Sequence, residues 1–305
     1  MVLRVRWSDG CSRPLDLPSF RSGELERDAG AEGLVELLYI LRTAREGDRW
    51  SGQVAFPGGK QEPSDRDDRA TSARETLEEV GLDLETPCFR FLGCLSDRPV
   101  TGGGRKIPNF FLAPLLWLQV EAETPGLRLQ ASEVAAWRWV PLRALRPERV
   151  TFGLIVQDFR QPQQWAPWLP QTVLSAFEAA SFPAIPLDAC ATSGAADATS
   201  DAGAAFNLWG LTLMATSDAL VLGGGTAREL AWPPIQFRST WANFAVAALC
   251  GAAALRRPHA HRPRLRHIFA LAALAAGPAL AGFFVAQRLA RWVLGTRPAT
   301  QRLLQ

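Results

Sequence analysis

The sequence predicts an α/β fold, and three observations support this prediction. Apolar runs with the length of strands occur at 35–41, 89–95 and 109–118. A short segment rich in carboxylates follows a glycine pair after the first run and has the length of a helix. Strands that interleave with helices are typical of α/β or α+β domains.

The first predicted strand is residues 35–41, whose nearly continuous apolar side chains indicate a buried strand. Residues 53–56 form a second, short strand, which Pro57 ends. The acidic helix follows, and Asp67 or Asp68 can cap its start because short polar side chains accept hydrogen bonds from free N–H groups. Its end is predicted at a glycine, as is common for helices.

Further strands are predicted at 89–95, 109–118 and 137–140, where Trp137 and Trp139 are expected to pack in the core. A helix is predicted to end at Leu222, followed by a glycine run that closes the domain. We therefore expect an N-terminal extension at 1–30, a catalytic domain at 31–225 with a mobile insertion at 188–205, and a C-terminal segment at 226–305.

The composition argues against several classes of protein. Lys and Arg number 33 and Asp and Glu 30, so the net charge of +3 favours neither a nucleic-acid binder nor an acidic tail. The five cysteines form no C-x-x-C pair, which favours a reduced compartment and no zinc site. No secretory signal is visible, and the acidic residues in the first 25 argue against a mitochondrial transit peptide. We therefore expect an intracellular protein.

The C-terminal segment is apolar. Residues 239–255 and 268–287 carry no charge and are separated by a basic stretch. About 20 apolar residues span a bilayer as a helix, so one interpretation is a membrane hairpin within 239–287. The other is an alanine-rich helical pair that packs on the catalytic domain.

The acidic helix carries the predicted chemistry. Glu75, Glu78 and Glu79 are three or four residues apart or adjacent, so they lie roughly on one helix face. Three carboxylates this close repel one another, and a hard divalent cation would remove the repulsion and attract phosphate oxygens. With the flexible backbone of Gly58 and Gly59 beside them, they predict a metal-assisted phosphate enzyme.

Residues Gly59 to Leu82 resemble the Nudix box, G-x5-E-x7-R-E-U-x-E-E-x-G-U, where U is a bulky aliphatic residue. Asp65 replaces the first Glu, eight residues rather than seven separate it from Arg74, and Thr76 replaces an aliphatic residue. The coenzyme A pyrophosphatase-like branch of the Nudix hydrolase superfamily shows the same Asp and extra residue. Its G-x3-F-P-G-G element is similar to residues 52–59 here, although its upstream arginine element is matched only in part.

The resemblance implies a Nudix α/β/α sandwich with a mixed sheet, to which the apolar C-terminal helical pair is added. It also implies a diphosphatase that depends on Mg²⁺ or Mn²⁺. The implied metal ligands are Gly59, Glu75, Glu78 and Glu79.

Other residues have two interpretations each. Arg74 orients a carboxylate or forms a surface ion pair, and Asp65 binds a water of the metal or stabilises its loop. Glu133 is a candidate general base or a surface acid in a turn. Arg105 and Lys106 bind the phosphate or adenosine end of the substrate, or form a solvated loop.

Three functions remain open at this point. The first is a diphosphatase that cleaves coenzyme A or acyl-coenzyme A into two monophosphates, with possible membrane association through 239–287. The second is the same chemistry on another nucleoside diphosphate derivative or on a lipid diphosphate. The third is a membrane scaffold with an inert Nudix domain.

Overall fold

The described residues form strands and two helices, each helix lying between strands along the chain, which confirms the predicted α/β class. The computed structural model describes residues 1–7, 33–48, 50–100, 110–121, 123–146, 149–158, 179–190, 205–222, 233 and 236–237. The chain divides into two compact units, which we treat separately. Unit 1 comprises Met1–Ser96, Ala113–Gly153 and Pro183–Pro233, and unit 2 comprises Asp97–Leu112, Leu154–Phe182 and Pro234–Gln305.

The described elements follow the chain in this order. The strands are β1 (Val2–Trp7), β2 (Gly33–Arg42), β3 (Val54–Ala55), β4 (Phe89–Cys94), β5 (Arg98–Val100), β6 (Phe110–Leu112), β7 (Leu115–Gln119), β8 (Val134–Pro141), β9 (Gly153–Asp158), β10 (Ala179–Pro186), β11 (Asn207–Leu208) and β12 (Gln236–Phe237). The helices are α1 (Asp68–Val80) and α2 (Gly210–Leu222), with short 3-10 turns at Leu142–Leu145 and Leu187–Ala189.

A mixed sheet of six described strands is the centre of unit 1. Strand β2 pairs antiparallel with β1, β3 and β8, and β7 pairs antiparallel with β4. Strand β1 pairs parallel with β7, with Leu3 opposite Leu118. The sheet is therefore mixed, as the resemblance implies.

The side chains of β2 alternate between the two faces of this sheet, and both faces are covered. Leu37 and Tyr39 belong to a buried cluster that includes Leu213 and Leu220 of α2. Leu38 and Ile40 belong to the opposite cluster, which includes Val80 of α1 and Trp139. Burial on both faces explains why this strand is almost continuously apolar, and it gives unit 1 its α/β/α layers.

Helix α1 begins and ends where the sequence predicts. The Asp67 side chain accepts a hydrogen bond from the Ala70 N–H at 2.8 Å and so caps the first turn. Gly81 ends the helix in the left-handed region, with φ 76°, and its N–H donates to the Leu77 carbonyl at 3.0 Å. These caps fix the length of the helix that carries the acidic residues.

Two strand assignments differ from the sequence expectations. Strand β1 lies within the segment 1–30, for which the sequence showed no clear periodicity. The single strand expected at 109–118 is two strands, β6 and β7, on either side of Ala113 and Pro114. Pro114 has no N–H to donate to a neighbouring strand, which explains the break.

In unit 2, β5 pairs antiparallel with β6, with Pro99 opposite Phe111. Strand β12 pairs antiparallel with the first part of β10, with Ala180 opposite Phe237. The side chains of Phe110 and Phe111 are exposed.

Three predictions lie wholly or mostly outside the described residues. They are the C-terminal helical pair, the membrane hairpin at 239–287, and most of the insertion at 188–205. In the part of the chain that the structure describes, no helix is long and apolar enough to cross a membrane.

Candidate active site

The glycine bend lies directly against the acidic helix. Gly58 has φ 150°, a region that favours glycine, and its N–H donates to Oε2 of Glu79 at 2.9 Å. A Cβ atom added to Gly59 would lie 2.4 Å from Oε1 of Glu75. Residue 59 must therefore lack a side chain for the Glu75 carboxylate to keep its place.

Asp65 and Arg74 form an ion pair with two hydrogen bonds at the site. Nε and Nη2 of Arg74 donate to the two carboxylate oxygens of Asp65 at 2.9 and 3.0 Å. The Asp65 side chain is 5% exposed, and its carboxylate also accepts from the Glu62 N–H and the Thr71 hydroxyl. Arg74, followed by the Glu62 N–H, holds the pKa of Asp65 well below its usual range. These contacts favour the interpretation that Asp65 stabilises the loop.

Arg74 links this loop to the acidic residues. Its Nη2 donates to Glu75 at 3.0 Å and to the Lys60 carbonyl at 3.2 Å, and its Nη1 donates to Glu78 at 3.0 Å. A planar guanidinium with several donors suits such shared contacts. Of the two interpretations, the geometry favours an arginine that orients carboxylates.

Glu79 is the most deeply buried of the three glutamates of α1, with 2% of its surface exposed. Burial is the main cause that raises its pKa, to about 7, and the Gly58 N–H and the charge of Arg42 partly oppose it. Burial likewise raises the pKa of Glu75, opposed chiefly by Arg74. Each of the two carboxylates thus stands in an environment that penalises its negative charge.

Glu78 differs from these two residues. Its side chain is 51% exposed and pairs with Arg74. Among the described residues, no three His, Cys, Asp or Glu side chains converge closely enough to enclose a metal ion. Glu75 and Glu79 are therefore the principal acidic pair of the site, with Glu78 at its exposed side.

The turn that carries Glu133 is fixed to the end of α1. The Gln130 N–H donates to the Glu79 carbonyl at 3.0 Å, and the Arg128 N–H donates to the Val80 carbonyl at 2.9 Å. The negative charge of Glu133 contributes to the raised pKa of both Glu75 and Glu79. The structure thus brings Glu133 to the acidic pair, although more than 50 residues separate them in sequence.

Two contacts of this turn were not predicted from the sequence. The Thr43 N–H donates to the Glu133 carbonyl at 2.8 Å, and Nη2 of Arg45 lies 3.5 Å from the Glu133 carboxylate. The charged turn at 45–49 is recognisable in the sequence, but no local pattern predicts its contact with Glu133. Arg105 and Lys106 lie outside the described residues, and their roles stay predictions.

Residues 28–159, which include the glycine bend, α1 and Glu133, match the model of the NUDIX domain family. This chain contains a Nudix domain. Its similarity is to the Nudix hydrolase superfamily, and within it to the coenzyme A diphosphatase-like branch. Both parts of the predicted resemblance are thereby confirmed.

Several relatives match parts of the chain. An uncharacterized protein of Schizosaccharomyces pombe is 41% identical over 109 residues, which are 36% of this chain and 32% of that protein. The mitochondrial coenzyme A diphosphatase of Mus musculus is 50% identical over 52 residues, 17% of this chain and 25% of that protein. The peroxisomal coenzyme A diphosphatase of Mus musculus is 40% identical over 79 residues, 26% of this chain and 33% of that protein. The chain therefore spans a quarter to a third of the length of these relatives.

Proposed function

We propose that the Nudix domain is a diphosphatase that depends on Mg²⁺ or Mn²⁺ and hydrolyses coenzyme A or acyl-coenzyme A to two monophosphates. One observation carries the proposal: the buried Glu79 and the partly buried Glu75 face a glycine bend in which residue 59 has no room for a side chain. The names of two relatives, both coenzyme A diphosphatases, support this substrate.

The oxygen donors at the site are of the kind that a divalent cation takes, although no three described carboxylates converge on one point. Beyond the effect of burial, the negative charges of Glu78 and Glu133 raise the pKa of Glu75, and those of Glu75 and Glu133 raise the pKa of Glu79. A cation among them would offset this repulsion, and carboxylate and carbonyl oxygens are the ligands that Mg²⁺ prefers. Glu75, Glu78, Glu79 and the carbonyl of Gly59 would hold it. Divalent cations are general to Nudix hydrolases; when bound, such an ion neutralises phosphate charge and lowers the pKa of water.

The protein's own residues would then perform three tasks. Arg74 holds the carboxylates of Glu75 and Glu78 in place, and Asp65 holds Arg74. Glu133 accepts the proton of the water that attacks one phosphorus of the diphosphate. The anhydride P–O bond breaks, and the other phosphate leaves with its substituent. From coenzyme A the products are adenosine 3′,5′-bisphosphate and phosphopantetheine.

A substrate panel tests the proposal. Full-length protein is incubated with magnesium or manganese and with coenzyme A, an acyl-coenzyme A, a nucleoside diphosphate derivative or a lipid diphosphate. We expect coenzyme A species to be cleaved at the diphosphate by the wild type, by Glu85→Gln as a control on an exposed carboxylate, and far more slowly by Glu79→Gln. Turnover of another diphosphate, without turnover of any coenzyme A species, would contradict coenzyme A as the substrate. A wild type that cleaves no compound faster than Glu79→Gln does would contradict an enzymatic function and favour the inert scaffold.

We also propose an intracellular location. Two relatives support it through their names, one mitochondrial and one peroxisomal. Membrane attachment through 239–287 stays a prediction, because those residues lie outside the described part of the chain.

A further inference from the structure

We propose that Arg45 is a positioning residue for the reaction, which fixes the carboxylate of Glu133 near the pair Glu75 and Glu79. This inference rests on the proposed function, in which Glu133 is the general base. It adds a residue that lies outside the acidic helix and the glycine bend.

A single nitrogen of Arg45 makes both contacts that matter. Nη2 donates to the Ser132 carbonyl and lies 3.5 Å from Oε1 of Glu133. The two side chains are 46% and 35% exposed, and ion pairs this exposed contribute only about 0–1 kcal/mol to stability. The contact therefore contributes little to the free energy of unfolding. Its main effect is to orient the Glu133 carboxylate.

The backbone of Glu133 is already fixed without Arg45. The Thr43 N–H donates to the Glu133 carbonyl at 2.8 Å, and the Thr43 hydroxyl donates to the Ala131 carbonyl at 3.0 Å. On the other side, the Gln130 N–H is bound to the Glu79 carbonyl. What remains free is the rotation of the Glu133 side chain, and this is the freedom that Arg45 restricts.

Arg45 is itself held in place. Its backbone N–H donates to the Ser51 hydroxyl at 2.5 Å, and its carbonyl accepts from the Asp48 N–H at 3.4 Å. The neighbouring guanidinium groups have other partners: Arg42 donates to Asp48, and Arg74 donates to Asp65 and the glutamates of α1. Arg45 is thus the arginine whose contacts connect the 45–51 turn with Glu133.

Electrostatics gives the reason why Glu133 needs such a partner. Its charge adds to the effect of burial on the pKa of Glu75 and Glu79, so the three carboxylates repel one another. A partly exposed glutamate under this repulsion would turn towards solvent unless a positive charge held it. Arg45 supplies that charge from the side of the turn.

A double-mutant cycle tests the proposal. The full-length proteins Arg45→Gln, Arg45→Lys, Glu133→Gln and Arg45→Gln/Glu133→Gln are compared with the wild type for kcat and KM on coenzyme A, with thermal unfolding as a check of folding. Arg66→Gln is the matched control, since Arg66 makes an exposed ion pair with Asp67 at 3.1 Å, outside the site.

We expect Arg45→Gln to lower kcat about tenfold and to change KM less than about threefold, because a lost orienting contact affects the reaction step rather than substrate binding. In the Glu133→Gln background the same change should have no further effect. Arg45→Lys should recover most of kcat, since one nitrogen suffices for both contacts. The Arg66 control should match the wild type.

Three results would overturn the role of Arg45 and leave the proposed function intact. They are an unchanged kcat in Arg45→Gln, an equal loss with and without the Glu133 carboxylate, or a loss confined to KM. If Arg45→Gln fails to fold, the kcat of Arg45→Lys tests the role of Arg45 instead. A lysine variant that folds but has a kcat about tenfold below that of the wild type would contradict the positioning role. A wild type without turnover on any diphosphate overturns the proposed function and the role of Arg45 together.

Discussion

The backbone of Gly59 lies so close to the carboxylate of Glu75 that a Cβ at this position would come within 2.4–2.5 Å of both carboxylate oxygens. Contacts below 3.0 Å force something to move, and here the atoms that can move are the end of a flexible side chain. The requirement for glycine at residue 59 is therefore a requirement of the site rather than of the fold.

Gly59→Ala should accordingly abolish activity without unfolding the protein. We expect turnover of coenzyme A to fall by about 100-fold or more, because the displaced Glu75 carboxylate no longer supports the reaction. The midpoint of thermal unfolding should change by only a few degrees. Gly126→Ala is the control, since a Cβ there meets nothing within 4 Å. Equal activity in the two variants would refute the role of the bend.

Glu79→Gln should make the metal-free protein more stable at high pH. Burial raises the pKa of Glu79 to about 7 in the folded state, whereas a free Glu titrates near 4.3, so the wild type must ionise a buried group as the pH rises through 7. The variant avoids this cost, and Gln can still accept the hydrogen bond from Gly58. We expect a gain of about 3 kcal/mol in the free energy of unfolding at pH 8 with a chelator.

Below about pH 4 the carboxyl group is neutral in both the folded and the unfolded state, and the two proteins should have the same stability. Magnesium at pH 8 should stabilise the wild type and not the variant, since only a ligand that binds the folded state raises its stability. Urea unfolding at several pH values measures both effects, with Glu85→Gln as the control. A variant less stable than the wild type at pH 8 in chelator would contradict the description of Glu79.

Asp65→Asn should lower the stability of the folded protein at neutral pH and not at low pH. Arg74 depresses the pKa of Asp65, so the stabilisation is fully present above the usual Asp pKa of about 3.9 and is lost as the pH falls through the depressed value. Asn can keep neither the charge nor both acceptor oxygens that Arg74 uses.

The difference in urea midpoint between wild type and Asp65→Asn should thus be largest near pH 7 and shrink below about pH 4. We also expect kcat to fall, because Arg74 would be less well held towards Glu75. A difference that does not depend on pH would show that the ion pair does not stabilise this loop.

Helix α2 gives a prediction about the fold alone. The Thr216 hydroxyl donates to the Thr212 carbonyl at 2.8 Å, so the buried Tyr39 hydroxyl, 2.9 Å away, is the donor in their contact. Thr216→Val leaves the Tyr39 hydroxyl without this acceptor and should cost about 1–3 kcal/mol, whereas Tyr39→Phe should cost about 1 kcal/mol. Equal costs in urea unfolding would indicate that the hydroxyl finds another partner.

Much of this protein is predictable because its signals are local. The caps of α1, the buried strand β2 and the acidic pair Glu75 and Glu79 each follow from residues within one turn or one strand. The Nudix box adds the glycine bend, which no periodicity would assign to the same site.

What sequence reasoning missed depends on distant contacts. Strand β1 contains Arg4 between apolar residues, and its place in the sheet comes from pairing with β2 and with β7, the latter more than 100 residues away. Arg4 is accommodated because its Nε donates to the buried Glu36 at 2.7 Å. The contacts of Thr43 and Arg45 with the turn that carries Glu133 likewise join residues about 90 apart in sequence. Nothing in the sequence of either segment predicts that the two are in contact.

The most direct test of a metal-dependent diphosphatase site at Glu79 is the rate of coenzyme A hydrolysis by the wild type and by Glu79→Gln as magnesium is titrated. A metal site at Glu79 predicts a wild-type rate that rises from nearly zero in chelator to saturation, and a variant rate that is about 100-fold lower at saturating magnesium. Equal rates in the two proteins, or a wild-type rate that does not depend on the cation, would contradict it.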